Sequence, residues 1–200
     1  MRKIITQSER WVLMISILVI FYLPYLAVNH ISAMHTTLPF IFGEENIPFL
    51  PWTILIYLSV FMQGTFLFSK VHRSIFPSIF SILGIIVSLH IMFFISFPTA
   101  YPRECYSEQN ILMDMFRTLD TPANCLPSLH VAVALLFGTC YQLGVKGASR
   151  ASVILVWLWS LAIIISTLTT KQHYLLDIFG AIVLDGGIIF FFRKTLQPRE

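Results

Sequence analysis

Residues 152–170 read SVILVWLWSLAIIISTLTT, nineteen positions without a charge. Roughly 20 apolar residues in a helix cross the hydrocarbon core of a bilayer. The run is continuously apolar rather than alternating, and a bilayer admits only helices or closed barrels, so it reads as a membrane helix. Lys171-Gln172-His173-Tyr174-Leu175-Leu176-Asp177 follows at once and opens another apolar run over about 174–192. Outward from this pair, similar runs cover about 11–29, 51–69, 75–97 and 130–145, the last being the shortest. The expectation is an all-α polytopic membrane protein, a bundle of six transmembrane helices, with residues 1–200 forming one domain.

Composition agrees. The chain is 56% hydrophobic and 12% charged, with a mean hydropathy of +0.78. A soluble domain carries about 25% charge, so this chain cannot cover a water-facing surface in the usual way. The first run follows Arg2 and Lys3, but its apolar core is long for a signal peptide and no small-residue cleavage site follows, so it reads as an anchor. Ten of the thirteen Lys and Arg residues lie at the N-terminus, in the second and fourth connections and in the tail. Arg103, Arg117 and Lys171 fall on the other side. By the positive-inside rule both termini are cytoplasmic. The net charge of +3 is therefore a topology signal and does not point to nucleic acid. The outer face is periplasmic if the membrane is a bacterial inner membrane, which the compact chain favours, and lumenal in a eukaryote.

Two connections on that outer face are long. The first, about 30–50, carries Glu44, Glu45 and Pro48 and reads as a lid or interfacial turn. The second, about 98–129, contains Ile111-Leu112-Met113-Asp114-Met115-Phe116-Arg117-Thr118-Leu119-Asp120, where apolar and charged residues recur at near-helical spacing. This predicts a short amphipathic helix on the membrane surface between the third and fourth spans. Cys105 and Cys125 share this connection, and an oxidising compartment would permit a disulfide closing about 20 residues, of the order of 3 kcal/mol. Cys140 lies inside a span as a small apolar residue.

Chemistry concentrates where the outer connections meet the spans. Pro127-Ser128-Leu129-His130 reads as a helix start, with proline at the first helical position and free amides pointing outward, a ready anion cradle beside a histidine. His173 and Asp177 stand four apart, so a helix would place them on one face in hydrogen-bonding reach. A carboxylate on one ring nitrogen fixes the tautomer and frees the other as nucleophile or base. Ionisable groups at membrane depth are costly and default to functional hypotheses. His90 and Asp185, each in mid-span, need a bundle-interior partner by the same argument.

Cys125-Leu126-Pro127-Ser128-Leu129-His130, followed by Ser166-Thr167, His173 and Asp177, resembles the motifs of the type-2 phosphatidic acid phosphatase superfamily. The resemblance covers most of the chain, the family core also being six helices with its motifs on the non-cytoplasmic face. It implies that His173 is the nucleophile forming a phosphohistidine, that Asp177 orients it, and that His130 protonates the leaving oxygen. It also implies that Ser128 and backbone amides hold the phosphoryl oxygens, with Ser166 and Thr167 contributed by the last motif, and that no metal or other cofactor is required. The substrate implied is a membrane lipid phosphate or diphosphate. Two departures stand out: Thr167 occupies the place of the family's arginine, and Ser96 and Glu104 stand where the first motif has a lysine and a proline. A phosphoryl transition state needs positive charge around its oxygens, and Arg103 and Lys171 are the available substitutes. The Ser-Thr pair and the leucine of Pro-Ser-Leu-His look more like the branch containing inositol-phosphorylceramide synthases, which include lipid head-group phosphotransferases. Alternatives from other classes are a proton-coupled transporter using His90 and Asp185, a metal site of His130, His173 and Asp177, and a catalytically silent scaffold.

Overall fold

A computed structural model describes residues 6–31, 36–103 and 110–198. Among these the secondary structure is helical, with no strand beyond two isolated bridges, Thr36 to Thr99 and Ala100 to Ala123. Four segments are long and apolar enough to cross a membrane: Pro51–Lys70, Arg73–Ser96, Arg150–Thr169 and Leu175–Leu196. They mark an integral membrane protein and match the second, third, fifth and sixth expected spans. The fourth expected span is the shorter apolar helix Leu129–Gly144. The first is helical throughout Gln7–Ile31 but interrupted, so the spans meeting the length criterion number four rather than six among the described residues.

That interruption has a local cause. Helix α1 (Gln7–Ile17) passes through a π turn at Leu18–Tyr22 into α2 (Leu23–Ile31). Pro24 lacks the amide that would bond to the Ile20 carbonyl, and its ring crowds that carbonyl, so the regular ladder cannot run through. Helix α3 (Ile54–Leu58) joins α4 (Val60–Lys70) at Ser59, whose hydroxyl donates to the Ile56 carbonyl at 2.6 Å and accepts from the Trp159 indole at 2.8 Å. Next come α5 (Phe76–Ser96), α6 (Ile111–Leu119), α7 (Leu129–Gly144), α8 (Arg150–Thr169) and α9 (Leu175–Phe192).

Helix α7 is the centre of the bundle and packs on α4, α5, α8 and α9. Its Ala132, Leu136, Phe137 and Cys140 join Leu67, Ile79, Ile82 and Ile86 in the main core. Close approach to α8 requires Gly138, since a Cβ there would lie 3.1 Å from Ser160 Oγ and 3.2 Å from the Trp157 ring. Ser160 in turn donates to the Ala134 carbonyl at 2.9 Å and accepts from Gln63 Nε2 at 2.7 Å, tying α4, α7 and α8.

The amphipathic helix forms as expected. Asn110 caps α6 by accepting from the Met113 amide at 3.1 Å. Met113 is fully buried and packs with Ile54 and Tyr57, whereas Ile111, Met115 and Leu119 share an exposed apolar stripe. A helix with one face on protein and a second apolar face outward suits an interfacial position.

His90 and Asp185 find each other across α5 and α9, with Nε2 3.0 Å from Oδ2 and both side chains fully buried. Removing one member strands the other without a partner, at a cost of about 1–3 kcal/mol. Asp185→Leu is therefore expected to lower the unfolding midpoint more than the double variant His90→Leu/Asp185→Leu, read by thermal unfolding in detergent.

Candidate active site

The two helix starts that carry the motifs are pinned to one another. Helix α7 begins at Leu129, so Ser128 is its cap and Pro127 lies one residue before the cap. This corrects the expectation of proline at the first helical position. The Ser128 hydroxyl accepts from the Val131 amide at 3.5 Å, and its own amide donates to the Asp177 carbonyl at 3.1 Å. Ser128 is fully buried.

Helix α9 begins at Leu175, with Tyr174 at the cap. His173 thus precedes the helix, and its link to Asp177 is made by capping geometry rather than by a shared helix face. Asp177, third in the helix, accepts from the Tyr174 amide at 2.7 Å through Oδ2. The same oxygen lies 3.2 Å from His173 Nδ1, which is also 3.1 Å from the Cys125 carbonyl. Two oxygen acceptors at Nδ1 favour the tautomer that carries its proton there, with Nε2 turned away from both. Asp177 is fully buried and its Oδ1 has no partner among the described residues.

His130 stands in the first turn of α7. Its ring stacks on Tyr57 with centroids 3.8 Å apart and planes 25° apart, and its Nε2 is buried without a partner among the described residues.

The expected cations arrive by different routes. Arg103 is buried and held by Asp120, donating through one terminal nitrogen to the Asp120 carbonyl at 2.7 Å and through the other to Oδ2 at 3.2 Å. Its Nε has no partner among the described residues. Asp120 also accepts from Tyr25 Oη at 3.0 Å and Asn29 Nδ2 at 2.9 Å, which fastens Arg103 to α2.

Lys171 ends α8 in a way a sequence reading does not reveal. The Lys171 amide donates to the Leu168 carbonyl at 3.1 Å and the Gln172 amide to that of Thr167 at 3.0 Å, the paired bonds of a Schellman cap. That motif needs a left-handed residue, usually glycine, and Lys171 supplies it at φ 55°. The strain is about 1 kcal/mol. Lys171 is also buried, and burial pulls its ammonium below the ordinary lysine range while Glu44 and Glu45 draw it back.

Ser166 and Thr167 are buried in α8, with hydroxyls turned back to the Ile163 and Ile164 carbonyls at 2.6 and 2.7 Å. The Thr167 carbonyl accepts from the His173 amide at 3.3 Å, which ties the end of α8 to that histidine. Cys125 is a buried free thiol donating to the Pro122 carbonyl at 3.3 Å. Its expected disulfide partner Cys105 lies outside the described residues.

Glu44 is the residue that sequence reasoning left in a lid. It is buried, accepts from the Ile41 amide at 3.3 Å and caps α9 by accepting from the Leu175 amide. Burial raises its carboxyl above the ordinary range, against the lowering effect of these two amides. The end of the 30–50 connection and the turn after it are tied to the end of α8, by the Leu50 amide on the Thr169 carbonyl at 2.8 Å and by Thr53 Oγ1 2.8 Å from Thr169 Oγ1.

Cys125, His173 and Asp177 offer ligand atoms within 4.8 Å of one another, a spacing that a metal ion can bridge. The fit is poor. Burial holds the Cys125 thiol well above its usual range, disfavouring the thiolate that binds metals, and His173 Nδ1 is engaged as a donor.

No curated protein and no solved structure matches this chain. The family described as the PAP2 superfamily matches residues 42–191, a range that contains both pinned helix starts, the stacked His130 and the lid carboxylate Glu44. With three quarters of its length matched, the chain belongs to the PAP2 superfamily.

Proposed function

We propose that this protein is a lipid-phosphate phosphatase working through a phosphohistidine, on the outer face of a six-span bundle with cytoplasmic termini. The observation that carries the reading is His173 held through Nδ1 by Asp177 and the Cys125 carbonyl, which leaves Nε2 as the nucleophile. Nε2 attacks phosphorus and the phosphorus–oxygen ester bond breaks. The leaving lipid oxygen takes a proton from His130. Water then attacks the phosphohistidine, giving a proton to His130, and inorganic phosphate departs with His173 restored.

Positive charge around the phosphoryl oxygens comes in this reading from Lys171 and from the Nε edge of Arg103, with Ser128 and the first amides of α7 completing the cradle. Lys171 in a glycine position supports its role, since strain that persists at a site is maintained by the surrounding structure and points to use. A lipid hydroxyl in place of water would make the same intermediate a head-group phosphotransferase, the second reading that the Ser166-Thr167 pair favours.

Phosphate release from a panel of lipid phosphates, with a strong chelator present, tests the proposal. The parent is expected to release phosphate, and His173→Ala to lose roughly 10³-fold or more while keeping its unfolding midpoint. Full activity in that variant, or loss of activity to the chelator, contradicts the mechanism. His130→Ala is expected to lose about 10²–10⁴-fold.

Lys171→Gly separates strain from function. Glycine relieves the left-handed backbone by about 1 kcal/mol, which offsets part of the packing lost with the buried side chain, while turnover is expected to fall at least tenfold. Because burial lowers the Lys171 ammonium, its charge is lost as pH rises through a value below the ordinary lysine range, and turnover falls with it. Arginine stays charged, so Lys171→Arg is expected to move that alkaline decline upward in a pH–rate profile.

A further inference from the structure

An apolar cavity opens beside the candidate acid. It lies between the first helical segment and helices α4, α5 and α7, walled by Ile17, Phe61, Val87, Val133 and Phe137. His130 and Tyr25 stand on its wall as well. Both belong to the catalytic end: His130 is the candidate proton donor, and Tyr25 Oη donates to Asp120, which holds Arg103. The cavity and the candidate site therefore share a boundary.

Part of its wall reaches the surface of the bundle. Phe61 is 39% exposed and meets Tyr22 edge-on at 6.0 Å, where the first segment lies against α4. Tyr22 closes the π turn and Ile17 immediately precedes it, so the break in the first helix falls at the level of the cavity. Such turns mark functional positions in helices. On α4, Gly64 keeps the space narrow but open. A Cβ there would stand 2.8 Å from the Phe137 ring.

We propose that this cavity takes one hydrocarbon chain of the phosphorylated lipid, entering from the bilayer past Tyr22 and Phe61 and placing its phosphate end at His130. The inference rests on the lipid-phosphate reading above and adds where the chain sits. The occupant is a lipid chain because the walls are apolar, the entrance reaches the surface of a membrane bundle, and the inner end meets the groups that would act on a phosphate. Polar ligands gain nothing from such walls, and apolar voids of this kind stay dry until an apolar guest fills them.

Two measurements on the full-length protein in lipid nanodiscs test it. In the first, phosphate release from hexadecyl phosphate and butyl phosphate is compared for the parent, Val133→Phe and Val87→Phe. The cavity-filling changes are expected to lower the ratio of long-chain to short-chain kcat/KM by about tenfold or more. Val183→Phe, on the exposed side of α9, is expected to leave that ratio alone. An unchanged ratio in both cavity variants overturns the proposal.

The second measurement needs neither turnover nor substitution. Hexadecyl phosphate carrying a diazirine near its chain end is photolysed with the parent protein, and the labelled peptides are identified by mass spectrometry. Adducts are expected on the cavity-lining stretches of α4, α5 and α7. Labelling confined to outward residues such as Leu155, Leu158 and Phe191 overturns the chain site. Absence of phosphate release together with cavity labelling would instead count against hydrolysis, so the two readings fail separately.

Discussion

Everything at the candidate site depends on one buried carboxylate. Asp177 Oδ2 accepts from both the Tyr174 amide and His173 Nδ1, so a single oxygen caps α9 and orients the imidazole. Its carbonyl accepts from Ser128, which fixes where α7 starts and hence where His130 stands. A buried carboxyl group is costly unless it is hydrogen-bonded. The interactions that reduce that cost are the ones that build the site. Stability and chemistry therefore cannot be separated at this residue.

The surrounding bundle explains why this cluster stays in place. Helix α7 is enclosed by α4, α5, α8 and α9, with its polar first turn pinned to the start of α9. Glu44 caps α9 from one of the two long connections, and Arg103 is fastened by Asp120 from the other. Apolar residues line the interior below. The His90–Asp185 pair, deeper in the bundle, is a separate polar link between α5 and α9.

Much of this was legible in the sequence. Four of the six apolar runs appear as helices long and apolar enough to cross a membrane, α6 appears where its spacing predicted, and His173 and Asp177 do meet, though through a helix cap rather than the shared helix face that their spacing suggested. Other features were hidden for physical reasons. The break in the first run comes from Pro24 acting on a carbonyl four residues back, which hydropathy does not register. Lys171 sits in a left-handed cap, where composition predicts glycine. Glu44 reaches Leu175 across 131 positions, and the Tyr57–His130 stack joins α3 to α7. Such contacts depend on how helices pack, and local periodicity carries no record of them. The hydroxyls of Ser166 and Thr167 bond back along α8, as these side chains commonly do in helices, an arrangement that motif spacing does not record.

The central claim is that His173 carries the phosphoryl group. The most direct measurement is rapid quench of the parent with lipid phosphate into alkali, where phosphohistidine survives, followed by peptide mass spectrometry. The account predicts phosphate on His173, accumulating in the parent within one turnover and absent from His173→Ala. Turnover that proceeds with no phosphorylated histidine at any time point, or with phosphate on another residue, would contradict it.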